Sequence, residues 1–319
     1  MAIKHSVFLP TGFGQELGTI NPVTAYEGLR DLVSVADEEG FETAWVLDHL
    51  QTVPPSQANL FECWTLVVAL LRDTNRLRIG PLVTCNGYRN PALQAKMAST
   101  ADVLGNGRLT FGIGAGWYEP DYVAFGYEFA DTRTRLGQLR EAVQIIRSLW
   151  TEDETTFDGS YYQVRGATNQ PKGVQQPHIP MLIAGGGEKV TLRLVAQYGD
   201  ACNMLESPEA LEHKFAILRR HCDEVGREYE AIHRTATTMC IISDTDARAR
   251  AALPEGAGDL FPGDIRDYGL IGTPETIRER LARYEAAGVQ ELAISFAAAD
   301  QPALMRQYAA EFIGAPVGP

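Results

Sequence analysis

Two kinds of segment alternate along this chain, and they differ in the pattern of their apolar and polar positions. Runs rich in apolar residues, each five to nine residues long, recur eight times, as buried strands do. The segments between them place apolar residues at helical spacing, for example Leu139, Val143 and Ile146. The eight predicted strands are Lys4–Leu9, Glu42–Leu47, Leu77–Thr84, Arg108–Ile113, Pro180–Ala184, Asp200–Leu205, Arg234–Ile242 and Glu291–Phe296.

The starts of four helices share one signal. A polar residue followed by proline occurs at Asn21–Pro22, Asn90–Pro91, Ser207–Pro208 and Thr273–Pro274. The polar side chain can accept a hydrogen bond from a free backbone N–H of the first turn, where proline gives up no hydrogen bond. These pairs therefore predict helix N-termini.

The alternation of strands and helices sets the fold class. Eight strands, each followed by helical sequence, predict an α/β fold of the (β/α)8 TIM-barrel type. No linker divides the chain, so we expect one domain over residues 1–319. Insertion regions interrupt the pattern near residues 151–180 and 245–272. The first includes Thr155–Val164, which predicts a hairpin that turns at Asp158–Gly159.

Composition excludes several classes of protein. A net charge of −13 without a Lys- or Arg-rich run argues against nucleic-acid binding. The five cysteines are scattered and no metal-ligand spacing occurs, so we expect reduced thiols, a cytoplasmic protein and no metal. The chain enters a strand-like segment at once and has no apolar run of membrane-spanning length. We therefore expect neither a signal peptide nor a membrane partner.

A glycine turn follows the fifth predicted strand. Gly185, Gly186 and Gly187 come directly after Ala184, and the sequence from Glu188 onward predicts a helix. Glycine allows close backbone approach to a ligand, and a helix N-terminus offers free N–H groups to an anion such as phosphate. The alternative is a tight turn without a ligand.

Asp48 and His49 follow the second predicted strand, where a barrel places its catalytic groups. Histidine can donate or accept a proton near neutral pH. Neighbouring residues at a strand end point in opposite directions, so we do not expect Asp48 to orient His49. The alternative is that Asp48 only stabilises the loop and that His49 lies on the surface.

The fourth predicted strand leads into a glycine-rich segment that includes Gly114, Ala115 and Gly116. Its spacing matches a dinucleotide-binding fingerprint, but the following Trp117 and Tyr118 do not begin an apolar helix, which argues against that interpretation. The segment instead suits a flat ring lying against bare backbone between aromatic walls. A bulge at the barrel rim is the alternative.

Six stretches at these positions, in order, resemble the bacterial luciferase-like monooxygenase family, in its branch of F420-dependent oxidoreductases. The resemblance extends from Val7 to Phe296. The stretches are VFLPTGFG, FETAWVLDHL, FECWTLVVAL, RIGPLVTCNGYRNPALQAKMASTADVLGNGRLTFGIGAGWYE, PKGVQQPHIPMLIAGGGEKVTLRLVAQYGDACN and GTPETIRERLARYEAAGVQELAISF.

The resemblance implies a (β/α)8 barrel that binds coenzyme F420, a 5-deazaflavin, with FMN as the alternative. It implies that Asp48 and His49 lie near the ring as catalytic residues, with His49 as proton donor or acceptor. It also implies a non-proline cis peptide at Cys85–Asn86 behind the ring. The implied cofactor-binding residues are Cys85, Asn86, Gly114, Ala115, Gly116, Ala184, Gly185, Gly186 and Gly187.

One departure from the family bears on the substrate. Sugar-phosphate and alcohol dehydrogenases of the family carry an acidic residue directly after the glycines, where this chain has Trp117, with Glu119 two residues on. We therefore expect a larger, more apolar small-molecule substrate in a pocket formed by Phe13, Trp117, Tyr118 and Glu119.

The expected reaction is hydride transfer between the deazaflavin C5 and an organic substrate. The alternatives are an FMN-dependent monooxygenase that uses O2 and a flavin-binding barrel without catalysis. By analogy with relatives, the chain could form a homodimer.

Overall fold

The computed structural model describes residues 3–297 and 300–314. The strands are β1 (Lys4–Phe8), β2 (Thr43–Val46), β3 (Arg78–Pro81), β4 (Thr84–Cys85), β5 (Phe111–Gly114), β6 (Thr155–Asp158), β7 (Gln163–Ala167), β8 (Met181–Ala184), β9 (Ala201–Met204), β10 (His233–Ile242), β11 (Leu270–Gly272) and β12 (Glu291–Phe296). The α-helices are α1 (Pro22–Glu38), α2 (Cys63–Asp73), α3 (Pro91–Leu104), α4 (Glu119–Ala124), α5 (Thr132–Thr151), α6 (Thr191–Tyr198), α7 (Pro208–Val225), α8 (Asp246–Ala251), α9 (Ile265–Tyr268), α10 (Pro274–Ala286) and α11 (Gln301–Phe312).

The main sheet is a parallel barrel. Its strands follow the order β3-β2-β1-β12-β10-β9-β8-β5-β4, and a bridge between Ile79 of β3 and Leu109, two residues before β5, closes the ring. The predicted TIM-barrel class is confirmed, and each of the eight predicted strands is present within a few residues of its expected bounds. All carboxyl ends of the strands therefore meet at one mouth of the barrel.

The third barrel strand is interrupted. It consists of β3 and β4, and the peptide bond between Leu82 and Val83, which lie between them, is a non-proline cis bond. The resemblance placed such a bond at Cys85–Asn86, which is wrong. Cys85 is still paired with Gly114 in the barrel ladder, and Asn86 begins a 3-10 turn.

Both insertion regions contain secondary structure. The predicted hairpin is confirmed as β6 and β7, although its second strand continues to Ala167. The Glu141 carboxylate on α5 holds the hairpin turn by accepting hydrogen bonds from the backbone N–H groups of Ser160, Tyr161 and Tyr162, at 2.8–3.0 Å. The second region contains β11, which was not predicted and pairs with β10.

The helix starts agree with their sequence signals. Asn21, Asn90, Ser207 and Thr273 each accept a hydrogen bond from a first-turn backbone N–H, as predicted. Among the described residues no helix is long and apolar enough to cross a membrane.

A buried histidine, His5, lies on β1, the strand that pairs with the last barrel strand, β12. His5 on β1 contacts the hydroxyl of Tyr308 on α11 through its Nδ1, at 2.9 Å. Burial lowers the pKa of His5 to about 4, although Glu291 opposes this shift. The folded protein therefore holds His5 neutral at mildly acidic pH.

This burial predicts a pH dependence of stability. Between pH 6.5 and pH 4 the unfolded chain binds more protons at His5 than the folded chain, so folding stability is lost as the pH falls through this window. The loss from this group is roughly 3 kcal/mol. His5→Asn keeps an acceptor for Tyr308 and should lose less stability than the wild type between pH 7 and pH 4.5, measured by urea unfolding. Equal losses in the two proteins would contradict this assignment.

Candidate active site

A cavity of about 610 Å³ opens at the carboxyl ends of the barrel strands. We call it the central cavity. Most of the site residues predicted from sequence line it: Phe13, Asp48, His49, Cys85, Gly114, Ala115, Gly116, Trp117, Tyr118, Ala184, Gly185 and Gly186. Asn86, Gly187 and Glu119 are not among the lining residues. The barrel thus brings five separate strand ends to one place.

His49 is held by a residue that the sequence did not single out. Its Nδ1 lies 2.8 Å from Oδ2 of Asp121, whose side chain is fully buried in α4. A carboxylate can only accept here, so Nδ1 carries the proton and donates it. Nε2 has no hydrogen-bond partner among the described residues. Since His49 lines the central cavity, Nε2 is the nitrogen that a bound molecule can reach.

Asp121 receives further hydrogen bonds on the same oxygen. The backbone N–H of Leu50 and the hydroxyl of Tyr88 both donate to Oδ2, at 3.2 and 3.1 Å. Burial raises the pKa of Tyr88 well above its usual range, with additional effects of Cys85 and Asp121, so this hydroxyl keeps its proton. Asp121 Oδ1 is buried without a partner among the described residues. The fixed carboxylate sets the orientation of the His49 ring.

Asp48 faces away from His49, in agreement with the sequence argument. Its carboxylate forms a two-pronged ion pair with Arg89, at 2.6 and 3.0 Å, and also accepts hydrogen bonds from the Thr84 hydroxyl and the Cys85 backbone N–H. Burial alone would lower the pKa of Arg89, but Asp48 and then Glu62 raise it. The side chain of Asp48 therefore fastens β4 to the loop after β2.

Cys85 and Asn86 have different surroundings. The Cys85 thiol lies 3.0 Å from the Tyr122 hydroxyl, and burial raises its pKa to about 11, so the group is a neutral thiol at neutral pH. Asn86 donates from Nδ2 to the Tyr162 hydroxyl of the hairpin at 3.1 Å. Asn86 thus connects the barrel to the first insertion region rather than lining the cavity.

The glycine-rich wall after β5 has no room for side chains. A Cβ at Gly116, where φ is +80°, would lie 2.1 Å from the Tyr122 hydroxyl oxygen. A Cβ at Gly114 would lie 2.8 Å from Val83. Gly114 and Gly116 therefore present bare backbone on this wall of the cavity, and Ala115 between them adds only a methyl group, which suits a flat ring.

The glycine turn after β8 differs from its prediction in one respect. The helix begins at Thr191 rather than at Glu188, because residues 188–190 form a turn and Val190 offers no capping side chain. Gly185 has a φ of +120°, and its N–H is used in a hydrogen bond to the Asn203 carbonyl. The Lys214 ammonium lies 2.8 Å from the Gly186 carbonyl oxygen.

Three aromatic rings surround His49. The Phe13 ring centroid lies 4.2 Å from that of His49, and those of Tyr118 and Trp117 lie 5.6 and 5.9 Å away. Glu119, by contrast, is an exposed residue in the first turn of α4. Phe13, Trp117 and Tyr118 thus line the central cavity beside His49, Glu119 does not, and their role in a substrate pocket stays a prediction.

Sequence reasoning missed several residues of the site. They include Asp121, which holds His49, and Tyr88. The cavity lining also contains three polar residues, Asn203, Thr237 and Thr191, and two residues of the second insertion region, Asp259 and Leu260. Asn203 exchanges hydrogen bonds with Thr235 and Thr237, which fixes its amide. No cluster of three or more potential metal ligands occurs among the described residues.

The arrangement fits a planar heterocycle with a phosphate-bearing tail. The backbone wall at Gly114–Gly116 and the apolar side chains of Leu82 and Val83 suit the faces of a ring, and Asn203 offers fixed polar atoms. The backbone N–H groups of Gly186 and Gly187, which donate to no described residue, and the hydroxyl of Thr191 provide donors for an anion.

Comparison with known proteins gives three findings. The model of a family described as luciferase-like monooxygenase matches residues 3–261. An F420-dependent glucose-6-phosphate dehydrogenase of Rhodococcus hoagii is 34% identical over 233 residues, which cover 70% of this chain and 67% of that protein. An FMNH2-dependent dimethylsulfone monooxygenase of Pseudomonas putida is 26% identical over 304 residues, which cover 84% of this chain and 82% of that protein.

Solved structures share the fold. An F420-dependent secondary alcohol dehydrogenase in complex with an F420–acetone adduct superposes with a TM-score of 0.84 over 99% of both chains, at 20% identity. An F420-dependent tetrahydromethanopterin reductase of Methanopyrus kandleri superposes with a TM-score of 0.77, at 17% identity, over 98% of this chain and 99% of that one.

Proposed function

This chain belongs to the luciferase-like monooxygenase family, and we propose that within it the protein is an F420-dependent oxidoreductase acting on an organic substrate. It is an enzyme of the F420- or FMN-dependent kind, as its relatives are. The observation that carries the proposal is the pairing of His49 with Asp121, which leaves Nε2 facing a cavity with a backbone wall and an anion-binding turn.

The chain's own residues have distinct parts in the proposed reaction. When bound, the deazaflavin would supply the carbon that gives up or takes up a hydride. The wall at Gly114–Gly116 would hold the ring, and the turn at Gly185–Gly187 would hold the phosphate. His49 Nε2 would accept the proton that leaves a substrate oxygen, or return it in the reverse direction.

Asp121 makes this proton transfer possible in two ways. It keeps the proton of neutral His49 on Nδ1, so that Nε2 presents its lone pair to the substrate. It also places a negative charge beside the ring once Nε2 is protonated.

The choice of F420 over FMN rests on the relatives. The F420-dependent enzyme of Rhodococcus hoagii is 34% identical to this chain, against 26% for the FMNH2-dependent enzyme of Pseudomonas putida. The latter match extends over more of this chain, 84% against 70%. An FMN-dependent monooxygenase that uses O2 is therefore the second candidate.

Cofactor titration tests the proposal. Purified protein freed of cofactor should quench or shift F420 fluorescence at much lower concentration than FMN fluorescence. Gly186→Leu adds a side chain beside Lys214 and Glu206 at the anion-binding turn, and it should weaken F420 binding about tenfold or more. Gly28→Leu, at an exposed position in α1 with open space around it, is the control.

Three outcomes count against the proposal. Tight binding of FMN with weak binding of F420 would favour the second candidate, an FMN-dependent monooxygenase that uses O2. Equal affinity of Gly186→Leu and wild type would remove the glycine turn from the cofactor site. Binding of neither cofactor would remove the cofactor assignment.

A further inference from the structure

From the charges around the central cavity we propose that the substrate is an uncharged or cationic molecule with an aromatic or other apolar ring, and that the part of the cavity beside His49, apart from the glycine turn proposed for the cofactor phosphate, rejects anionic substrates. The inference rests on the proposed function in one respect, namely that the central cavity is the substrate site. It names the class of substrate, which neither the fold nor the catalytic pair defines.

The first observation is the aromatic enclosure of His49. The Phe13 ring is tilted by 33° against the imidazole plane, while Trp117 and Tyr118 present their rings at 77° and 76°. A molecule bound next to the His49 ring would therefore have aromatic rings as neighbours. Such surfaces bind flat apolar groups, and their faces attract cations.

The second observation is the charge of the lining. Among the described residues that line the cavity, none is a lysine or an arginine, whereas three are acidic: Asp48, Glu206 and Asp259. Asp48 is paired with Arg89, and Glu206 lies at the glycine turn beside Lys214. The Asp259 carboxylate has no hydrogen bond or ion pair with any described residue. Asp259 is exposed, so it adds to the cavity lining a negative charge that pairs with no described cation and is partly screened by solvent.

The third observation is that the nearest cations are already occupied. Arg89 binds both Asp48 and Glu62, and Lys214 lies between Glu188 and Glu206, at 3.4 and 3.8 Å. In each cluster one positive charge faces two carboxylates. Arg135 is directed at the Gly116 and Ala130 carbonyls and over the Phe129 ring. None of these side chains is free to receive an anionic substrate.

The substrate must therefore differ in charge from a sugar phosphate. A dianionic substrate beside His49, away from the glycine turn proposed for the cofactor phosphate, would find no free guanidinium or ammonium among the lining residues, and the net charge of −13 adds a repulsive field. A neutral ring avoids this repulsion, and an ammonium group gains from both the carboxylates and the aromatic faces.

The protein carries a natural optical probe for this test. Trp117 is 58% exposed, whereas Trp45, Trp64 and Trp150 are at most 4% exposed. Quenching by dissolved ions therefore reports mainly on Trp117 at the cavity. Relative to free N-acetyltryptophanamide, caesium should quench more effectively than iodide. Equal accessibility to the two ions would overturn the assigned charge.

Matched ligands then test the substrate class without any cofactor. Benzyl alcohol, benzoate and benzyltrimethylammonium share one ring and differ in charge. Titrated against Trp117 fluorescence, benzoate should bind roughly fivefold or more weakly than the other two. Benzoate binding as tightly as benzyl alcohol would overturn the rejection of anions, and binding of none of the three would overturn the choice of a ring.

Variants assign the effect to one residue. Asp259→Lys should strengthen benzoate binding and weaken benzyltrimethylammonium binding, each several-fold, and should raise quenching by iodide. Glu279→Lys makes the same change of net charge on the exposed side of α10, away from the cavity, and should change neither affinity. An identical response of the two variants would show that only net charge matters. Because these measurements use protein without cofactor, they fail independently of the F420 and FMN titrations.

Discussion

Replacing His49 with alanine is expected to lower turnover by roughly 10²- to 10⁴-fold, the range that a positioned general acid or base contributes. His49 offers its free Nε2 to the cavity, and the replacement removes the group that would exchange a proton with the substrate. Binding of the cofactor phosphate should change little, because the glycine turn is left intact. Steady-state kinetics with reduced and oxidised cofactor, together with a cofactor titration of the variant, measure both quantities.

Two further variants make this result specific. His213→Ala removes a histidine whose side chain is 65% exposed, and it should leave turnover unchanged. Asp121→Asn keeps the shape of the partner but can donate to Nδ1, and so favours the wrong tautomer of His49. It should therefore reduce turnover without a matching loss of cofactor affinity. Wild-type turnover in His49→Ala would remove His49 from the mechanism.

Replacing Asp48 with alanine is expected to reduce the free energy of unfolding by roughly 3–5 kcal/mol, as for other buried ion pairs that lose one partner. The side chain of Asp48 is fully buried and that of Arg89 is 12% exposed, so the guanidinium would keep only Glu62 as a charged partner. The hydrogen bonds from Thr84 and Cys85 would also be lost. Urea unfolding followed by circular dichroism measures the change.

Two control variants test whether the expected loss of stability comes from burial of the Asp48–Arg89 ion pair rather than from the loss of any ion pair. Glu224→Ala breaks the exposed pair with Arg193 and should change stability by less than about 1 kcal/mol. The double variant Asp48→Ala/Arg89→Met removes the uncompensated charge and should recover part of the lost stability. A loss in Asp48→Ala no larger than that in Glu224→Ala would show that this pair stabilises the fold no more than a surface pair.

The barrel could be predicted from sequence because its signals are local. Each strand is a short apolar run, and four helix starts have a polar cap before proline, so neither needs knowledge of distant residues. β11 was missed because its three residues, Leu270–Gly272, gain their pairing only from β10. The helix start at Thr191 was misplaced because no capping side chain marks it.

The site was predictable only where the fold itself brings residues together. Strand ends of a barrel converge, which placed His49, Gly116 and Gly185 correctly around one cavity. The partner of a side chain is a different matter, because Asp121 lies 72 residues from His49 along the chain. Asp121 belongs to a six-residue helix with little apolar pattern, so nothing local marked it as a contact of the histidine.

The parallel pairing of β1 with β12 has a consequence for synthesis on the ribosome. Lys4–Phe8 emerges among the first residues of this sequence, but its partner Glu291–Phe296 is translated nearly three hundred residues later. Until then β1 pairs on one side only, with β2, and β10 also lacks its neighbour. The nascent chain therefore carries an open edge at β1 through most of translation and a second one at β10 from residue 242 until β12 is made, the condition in which strands pair with other chains. The last strand, β12, closes the barrel by pairing with both β1 and β10.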